Sequence, residues 1–451
     1  MLQSGLILIK QNYLVNILLL CNKPEKSSNA NTITEHIESF AKYSTYNIIE
    51  LHPSNINLEK EELLHAFDII IIHYSLNITM PAYIPHQVIW QLKQFNGLKV
   101  LFIQDEYRHI NKITHCMNAI GIDILYTCVP EQEIHKVYSE ISTPGILKVN
   151  TLTGYVPSSI DNITTPDYMQ RKNDVVYRAR EVPAWLGKLG LEKKYISDMF
   201  LTHSKKYNLK CDISCTEQSR IYGKAWHKFL QNSKAALGVE SGASVFDFTG
   251  NIQKQVESHL AQDPEASFAE LSKKYFEPFE GKIYLNQVSP RIFEYAAFRT
   301  LMILFEGKYS NVLQPWIHYI PLKKDFSNIE EVISSLRNEK LAKKITSRAH
   351  KDIIDSGLFS YKQFVSSFFK NISAHPKIQE RSSGYREEPQ PSFSKISKNS
   401  IKKHLLSIPN KGIILAKKTL FILLPHNHFN KVKIMALKTR VRLKNMHNVN
   451  I

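Results

Sequence analysis

The sequence predicts an α/β protein built from two doubly wound domains. Short, uniformly apolar runs alternate with amphipathic segments over residues 1–151, and the same alternation returns after residue 173. At 451 residues the chain also exceeds what one hydrophobic core normally holds. Strands that are apolar on both faces and separated by helices favour parallel sheets with helices on both sides.

The first unit, residues 1–151, is predicted to contain six strands connected by helices. Each strand is a short run rich in Ile, Leu and Val, and each helix shows apolar residues at helical spacing. The strands are predicted at 16–21, 47–51, 68–74, 99–104, 122–127 and 146–149. The helices are predicted at 32–41, 87–94, 111–120 and 131–139.

A linker at residues 152–172, rich in Pro, Ser and Thr, separates this unit from a second α/β unit at residues 173–375. The second unit carries a mostly helical insertion at about 250–282. Its strands are predicted at 174–177, 210–214, 236–239, 300–305 and 316–321. Its helices are predicted at 191–207, 330–336, 339–355 and 361–369.

Positive charge is concentrated in the last part of the chain, residues 376–451, which form a basic tail. The formal net charge is +17, and this tail has 16 Lys+Arg against 3 acidic residues, which is +13 of the total. Lysines interleaved with Leu, Ile and Phe suit an anionic membrane surface, and residues 389–451 carry no acidic side chain. The same charge binds nucleic acid non-specifically, but no aromatic stacking platform indicates a specific nucleic-acid partner. A flexible basic extension is the third interpretation.

Cysteine and hydropathy patterns narrow the class of protein further. Five scattered cysteines are an odd number without zinc-ligand spacing, so we expect a reducing compartment and no metal site. No run of about 18 apolar residues occurs, so no membrane span is expected. The apolar run at 13–21 is predicted to be a buried strand, because Asn16 interrupts it and Leu20 is too bulky for a signal-cleavage site.

The segment beginning at Ser289 has the pattern of an anion-binding helix start. Ser289 suits an N-cap and Pro290 the first helical position, so Arg291 falls in the first turn. A helix N-terminus attracts phosphate, and a guanidinium adds a forked donor. Glu294 follows three residues later on the same face, where a ribose diol is an obvious partner. The alternative is an ordinary helix start at which Arg291 and Glu294 pair with each other.

This segment resembles the donor-binding signature of group 1 glycosyltransferases of the GT-B fold, a Ser-x-Arg-x-Phe-Glu-x-x-Ala element followed by an apolar strand. The resemblance covers residues 170–370 well and the N-terminal domain loosely. It implies two Rossmann-like domains facing a cleft. It also implies that Glu294 binds the nucleotide ribose and that Ser289 and Arg291 lie close to the donor.

The same resemblance extends to the first strand of the second unit and the basic stretch after it. By position, Arg180 and Lys193 match the family's diphosphate-binding cations, and Lys188 is a further candidate. Several cations on two phosphates stabilise the leaving group without a metal. The alternative is a solvated basic loop.

Two loops at predicted strand ends supply further candidates. Small residues let a backbone approach a ligand closely, so Glu240 and Ser241 can contact donor sugar or phosphate, and Glu240 is also a catalytic candidate. Ordinary turn chemistry explains that loop as well. Asp105 or His109 can act as general base on an acceptor hydroxyl if the cleft brings one within reach. Alternatively, Asp105 and Glu106 cap the next helix.

One position departs from the family pattern. Retaining members often carry a Glu-x7-Glu pair, and the position eight before Glu294 is Asn286. This departure leaves the choice between retaining and inverting chemistry open.

The sequence therefore predicts a glycosyltransferase that moves a sugar from a nucleotide-sugar donor to a glycan or lipid-linked acceptor in cell-surface polysaccharide biosynthesis. No cofactor and no metal are expected, and the expected place is the cytoplasm, with peripheral contact to the inner face of the cell membrane as an option. One rival hypothesis is a catalytically inactive GT-B-like protein that binds nucleotide or glycan. Another is a membrane or nucleic-acid adaptor that acts through the basic tail.

Overall fold

The computed structural model describes residues 15–24, 31–56, 61–160 and 163–383. Its first sheet is formed by β1 (Asn16–Leu20), β2 (Asn47–Leu51), β3 (Ile69–Ile72), β4 (Leu98–Ile103), β5 (Ile124–Thr127) and β6 (Leu147–Asn150). All pairings are parallel, and the strand order is β2-β1-β3-β4-β5-β6. The intervening helices are α1 (Thr32–Lys42), α2 (His86–Gln94), α3 (Ile110–Ile120) and α4 (Glu131–Val137).

The second sheet repeats this design. The strands of the second unit are β7 (Asn173–Arg178), β8 (Cys211–Ser214), β9 (Ser233–Gly238), β10 (Ser241–Ala243), β11 (Leu285–Gln287), β12 (Leu301–Phe305) and β13 (Ile320–Leu322). Five of them form a parallel sheet in the order β13-β12-β9-β7-β8, while β10 and β11 form a separate antiparallel pair. The helices are α5 (Lys188–Ser204), α6 (Gly223–Gln231), α7 (Asn251–Gln262), α8 (Phe268–Leu271), α9 (Pro290–Ala297), α10 (Ile329–Arg337) and α11 (Glu339–Ala349).

Both sheets are covered on their two faces by apolar cores, as the uniformly apolar strands predict. Alternate residues of β1, such as Ile17 and Leu18, belong to different cores on opposite faces of the first sheet. Val175 and Val176 of β7 divide in the same way between two cores of the second sheet. The predicted fold class is confirmed: two doubly wound Rossmann-like domains face a cleft, in the manner of a GT-B fold.

Each predicted strand overlaps an observed one, and the last prediction, at 316–321, is wrong over its first residues. Trp316 has a φ of 63°, and its N–H donates to the carbonyl of Tyr319 at 2.8 Å, so a turn precedes β13. The short pair β10 and β11 was not predicted, because three-residue strands carry too little pattern to be distinguished from loops.

The chain returns to the first domain near its described end. Helix α12 (Tyr361–Ser373) follows α11, and the sequence-based division placed it in the second unit. In the structure its apolar face belongs to a core of the first sheet, where Phe368 lies 5.1 Å from Phe40 and 5.5 Å from Phe102 between ring centroids. An aromatic helix face packs where complementary aromatic residues are exposed, and α1 with β4 supply them.

Two crossing segments therefore connect the domains, and they touch each other. The N–H of Val156 in the linker donates to the carbonyl of Phe359 at 2.8 Å, and the N–H of Tyr361 donates to the carbonyl of Val156 at 3.1 Å. A third connection comes from the insertion side, where the N–H of His109 donates to the carbonyl of Asp247 at 2.7 Å.

Helix α13 (Pro376–Ser383) is the last described element, and the rest of the predicted basic tail, residues 384–451, lies outside the described residues. Within the described ranges, every helix is too short or too polar to cross a bilayer.

Candidate functional site

A cavity of about 490 Å³ lies between the two domains. The second domain lines it with the carboxyl ends of β7 and β9 and with the start of α9, and the first domain lines it with the start of α1 and with Asp105 beyond β4. In the second sheet, β7 and β9 are the strands at which the connections change direction. Ligands of open α/β sheets bind at this place, because the loops diverge there and leave a crevice.

Three of the predicted donor-binding cations line this cavity together. Arg180 follows β7, Lys193 lies in the second turn of α5, and Arg291 lies in the first turn of α9. Among the residues that the structure describes, no carboxylate forms an ion pair with any of the three. A cluster of cations without direct ion-pair partners in a cleft is an arrangement that an anionic ligand stabilises.

The pKa of Lys193 reflects its burial and its cationic neighbours. Burial, together with the charges of Arg291 and Arg180, lowers the pKa of Lys193 to about 8, against the opposing effect of Asp105. At neutral pH the ammonium group is therefore still charged, and an anion in the cavity would raise its pKa again.

Helix α9 begins as predicted, with Ser289 at the N-cap in an extended conformation and Pro290 in the first position. The Ser289 side chain makes no capping hydrogen bond, and both residues line the cavity. The amides of the first turn therefore lie at the cavity wall, where their partial positive charge adds to that of the three cations.

Arg291 and Glu294 do not pair with each other, so the alternative of a closed ion pair is wrong. One Nη1–H of Arg291 donates to the carbonyl of Arg178, and the guanidinium lies 5.6 Å from the centroid of the Trp226 ring. The indole Nε1–H of Trp226 donates to Oε2 of Glu294 at 2.8 Å. Burial raises the pKa of Glu294 to about 7, although Trp226 and Arg291 oppose this shift. Trp226 thus separates the two charged groups and holds both at the cavity.

Two further predicted residues line the cavity. Ser241 opens β10, directly after β9. Asp105 reaches the cavity from the first domain, and its φ of 56° turns the chain sharply after β4. Asp105 is the one predicted catalytic candidate among the lining residues.

Glu240 lies behind the wall and anchors a loop. Its Oε1 accepts hydrogen bonds from the N–H groups of Lys308 and Tyr309 at 2.9 and 2.7 Å, and the amide of Asn286 donates to the same carboxylate at 3.3 Å. Added Cβ atoms at Gly307 would lie 2.7 Å from the Glu240 carboxyl carbon, so the loop is closely packed around it. This placement explains Glu240 structurally and puts it outside the lining of the cavity.

His109 and Lys188 also lie outside the cavity lining. His109 borders a different depression beside Gly250 on the insertion side. Lys188 is the first residue of α5, and its N–H donates to Oε2 of Glu280 at 3.0 Å. Their functional roles stay predictions without a geometric basis in the cleft.

Two lining residues were missed by sequence reasoning. Glu35, in the first turn of α1, reaches the cavity from the first domain. Burial and the charge of Glu294 raise the pKa of Glu35 to about 7. Trp226 falls within a segment that the family resemblance covers, but only the fold shows that its indole contacts Glu294. The position of Glu35 shortly after the carboxyl end of β1 was the available signal.

A separate group of side chains in the described residues could hold a cation. Ligand atoms of His259, Asp263 and Glu270 lie within 4.8 Å of one another on the insertion, away from the cavity lining. The Nζ of Lys274 lies 3.4 Å from Nδ1 of His259, and its positive charge disfavours a metal cation at this group.

No protein-family model and no curated protein match this sequence. Solved structures with a similar fold are found at low identity. A crystal structure of TarM has a TM-score of 0.39 and 12% identity over 68% of this chain and 55% of TarM, so the chain spans about half of TarM. An alpha-glucosyltransferase in complex with UDP and a 13-mer DNA containing a HMU base has a TM-score of 0.46 and 10% identity over 80% of this chain and 99% of its own. The Anabaena protein HepE in complex with UDP has a TM-score of 0.46 and 9% identity over 80% of this chain and 100% of HepE.

Proposed function

We propose that this protein is a glycosyltransferase that moves a sugar from a nucleotide-sugar donor to a glycan or lipid-linked acceptor in cell-surface polysaccharide biosynthesis. The observation that carries the proposal is the cluster of Arg180, Lys193 and Arg291 beside the first turn of α9 in the interdomain cavity. A diphosphate offers several charged oxygens to this cluster, and Glu294 lies in the same cavity to accept ribose hydroxyls.

The same arrangement suits the chemical step. In glycosyl transfer the bond between the anomeric carbon and the diphosphate oxygen breaks, and negative charge develops on the leaving diphosphate. Cations fixed by the protein stabilise that charge most when water is excluded, which is how the cleft would replace a metal ion. Asp105, on the opposite wall, can accept the proton of the acceptor hydroxyl as it attacks. The choice between inversion and retention stays outside this proposal.

The proposed setting follows from the acceptor class. Enzymes that act on lipid-linked acceptors work at a membrane surface, and cationic side chains contribute about 1 kcal/mol each near an anionic one. The basic residues of 389–451 are the proposed contact, on the cytoplasmic face of the cell membrane.

Nucleotide protection tests the donor site directly. The melting temperature of the full-length protein would be measured with UDP, GDP, ADP, TDP and CMP at pH 7. A ligand at 100 times its Kd stabilises the folded state by about 2.7 kcal/mol, which gives an easily measured shift. Arg291→Ala should abolish the shift, whereas Arg348→Ala on the exposed side of α11 is the matched control and should retain it. If none of the five nucleotides raises the melting temperature, the donor site is refuted.

The second candidate is a nucleotide-binding protein without turnover. It is motivated by Asn286, whose amide contacts Glu240 in a closed structural network instead of presenting a carboxylate to the cavity. Hydrolysis of the donor, or its transfer to an acceptor, would favour the enzyme if Arg291→Ala and Glu294→Ala abolish it. Nucleotide protection without any turnover of nucleotide-sugars would favour the binding protein.

A further inference from the structure

The cavity lining contains a third carboxyl group, besides Asp105 and Glu294, that the diphosphate site does not explain. Glu35 lies in α1 of the first domain and Glu294 in α9 of the second, and both line the same cavity. The charge of Glu294 acts on Glu35 across the cleft. Glu38 and Lys42 act on it along its own helix, and Lys42 donates to Oγ of Ser158 rather than pairing with Glu35.

A buried hydroxyl group lies within electrostatic reach of Glu35. The hydroxyl of Tyr74 has no hydrogen-bond partner among the described residues, and the charges of Glu35 and Asp105 both act on it. The neighbouring Tyr361 hydroxyl donates to the carbonyl of Thr32 at 3.3 Å, so the start of α1 is fixed in place. None of the described side chains forms an ion pair with the Glu35 carboxylate, so this group is available to a ligand in the cavity.

We propose that Glu35 is a second binding residue for the ribose diol of the donor nucleotide, acting from the first domain opposite Glu294. This inference rests on the proposed function. It adds that both domains bind the ribose of the nucleotide at once, so that donor binding favours closure of the cleft.

The hydrogen-bonding capacity of the pair explains why a diol is the matching ligand. Glu35 and Glu294 line the same cavity and repel each other when both are ionised, which favours the protonated form of one of them. One of them then donates and the other accepts. A vicinal diol has two donors and several acceptor lone pairs, so it satisfies both groups, whereas a phosphate would be repelled by the ionised member.

The test compares ligands that contain the diol with ligands that lack it. Binding to the full-length protein would be measured by titration calorimetry with UDP, GDP and ADP, with their 2′,3′-dideoxy forms, and with inorganic pyrophosphate. Glu35→Ala should weaken the tightest ribonucleotide at least about tenfold, because a hydrogen bond to a charged group is lost. The affinities for pyrophosphate and for the dideoxy form should stay within about threefold of wild type. Glu38→Ala, on the same helix but outside the cavity lining and paired with Lys23, is the matched control.

Each outcome decides one of the two proposals. Unchanged ribonucleotide affinity in Glu35→Ala, with pyrophosphate still bound, overturns the role of Glu35 and leaves the proposed function intact. An equal loss for pyrophosphate overturns it as well, because the effect is then on the phosphates. Wild-type protein that binds neither pyrophosphate nor any nucleotide overturns the proposed function itself. If Glu35→Ala does not fold, Glu35→Gln replaces it in the test. The ratio of ribonucleotide affinity to dideoxynucleotide affinity should then be at least about threefold lower than in wild type, and an unchanged ratio refutes the inference.

Discussion

Replacing Lys193 by Met should stabilise the ligand-free protein while it abolishes nucleotide binding. Lowering the pKa of Lys193 to about 8, from its ordinary 10.5, corresponds to a destabilisation of the folded state by ~3 kcal/mol, at 1.36 kcal/mol per pKa unit. Water around this half-buried side chain screens part of that energy, so we expect a gain of about 1–3 kcal/mol at pH 7. Methionine keeps the apolar stem and removes only the charge.

The stability gained by Lys193→Met should depend on pH in a defined direction. The electrostatic penalty is fully present below pH 8, and it disappears as the pH rises toward 10.5, because both the folded and the unfolded chain then hold a neutral lysine. Urea unfolding at pH 7 and at pH 10 should therefore show a Lys193→Met gain that shrinks at the higher pH. The affinity of wild type for a nucleoside diphosphate should also fall as the pH rises through 8.

Lys188→Met is the matched control, because Lys188 begins the same helix outside the cavity. It should change neither stability nor nucleotide affinity appreciably. A Lys193→Met protein that is less stable than wild type at pH 7, or that still binds nucleoside diphosphate normally, would refute the electrostatic reasoning.

Three further predictions follow from single contacts. Trp226→Phe removes the donor to Glu294, so the pKa of that carboxyl should rise above 7 and ribonucleotide affinity should drop at pH 7 and recover partly at pH 8.5, as calorimetry can measure. Asp105→Asn should lower kcat at least about 100-fold with little change in donor KM, and an unchanged kcat would exclude a general-base role. Arg171→Met should destabilise the fold by at least about 3 kcal/mol in urea unfolding, because four backbone carbonyls, two of them in buried hydrogen bonds, lose their donor, and a smaller loss would show that water replaces it.

The architecture was predictable because local patterns determine it. Runs such as 69–72, four consecutive isoleucines, are apolar on both faces and fit only a strand that is covered on both sides. The start of α9 was predictable for the same reason, since Ser-Pro sets the backbone before any tertiary contact forms.

The remainder of the site depends on contacts between distant segments. The position after β1 points to the start of α1 as a whole, and only the folded structure shows that Glu35 and not Glu38 lines the cavity. Glu240 shows the reverse case, because its position after a strand suggested a ligand, whereas loop amides from residues 308 and 309 occupy its carboxylate. Helix α12 likewise follows the second domain in sequence and packs on the first, since its aromatic face finds its complement there.

The hydrogen-bonded crossing of the linker and the segment before α12 restricts how the two domains can move. Two domains joined by one flexible connection can twist and slide relative to each other in any direction. Here two segments of the chain lie side by side where they cross between the domains, and they form a hydrogen-bonded bridge at Val156 and Ser360. The two segments must therefore bend together when the cleft opens or closes, and the contact between His109 and Asp247 on the insertion side must be kept or broken in the same motion.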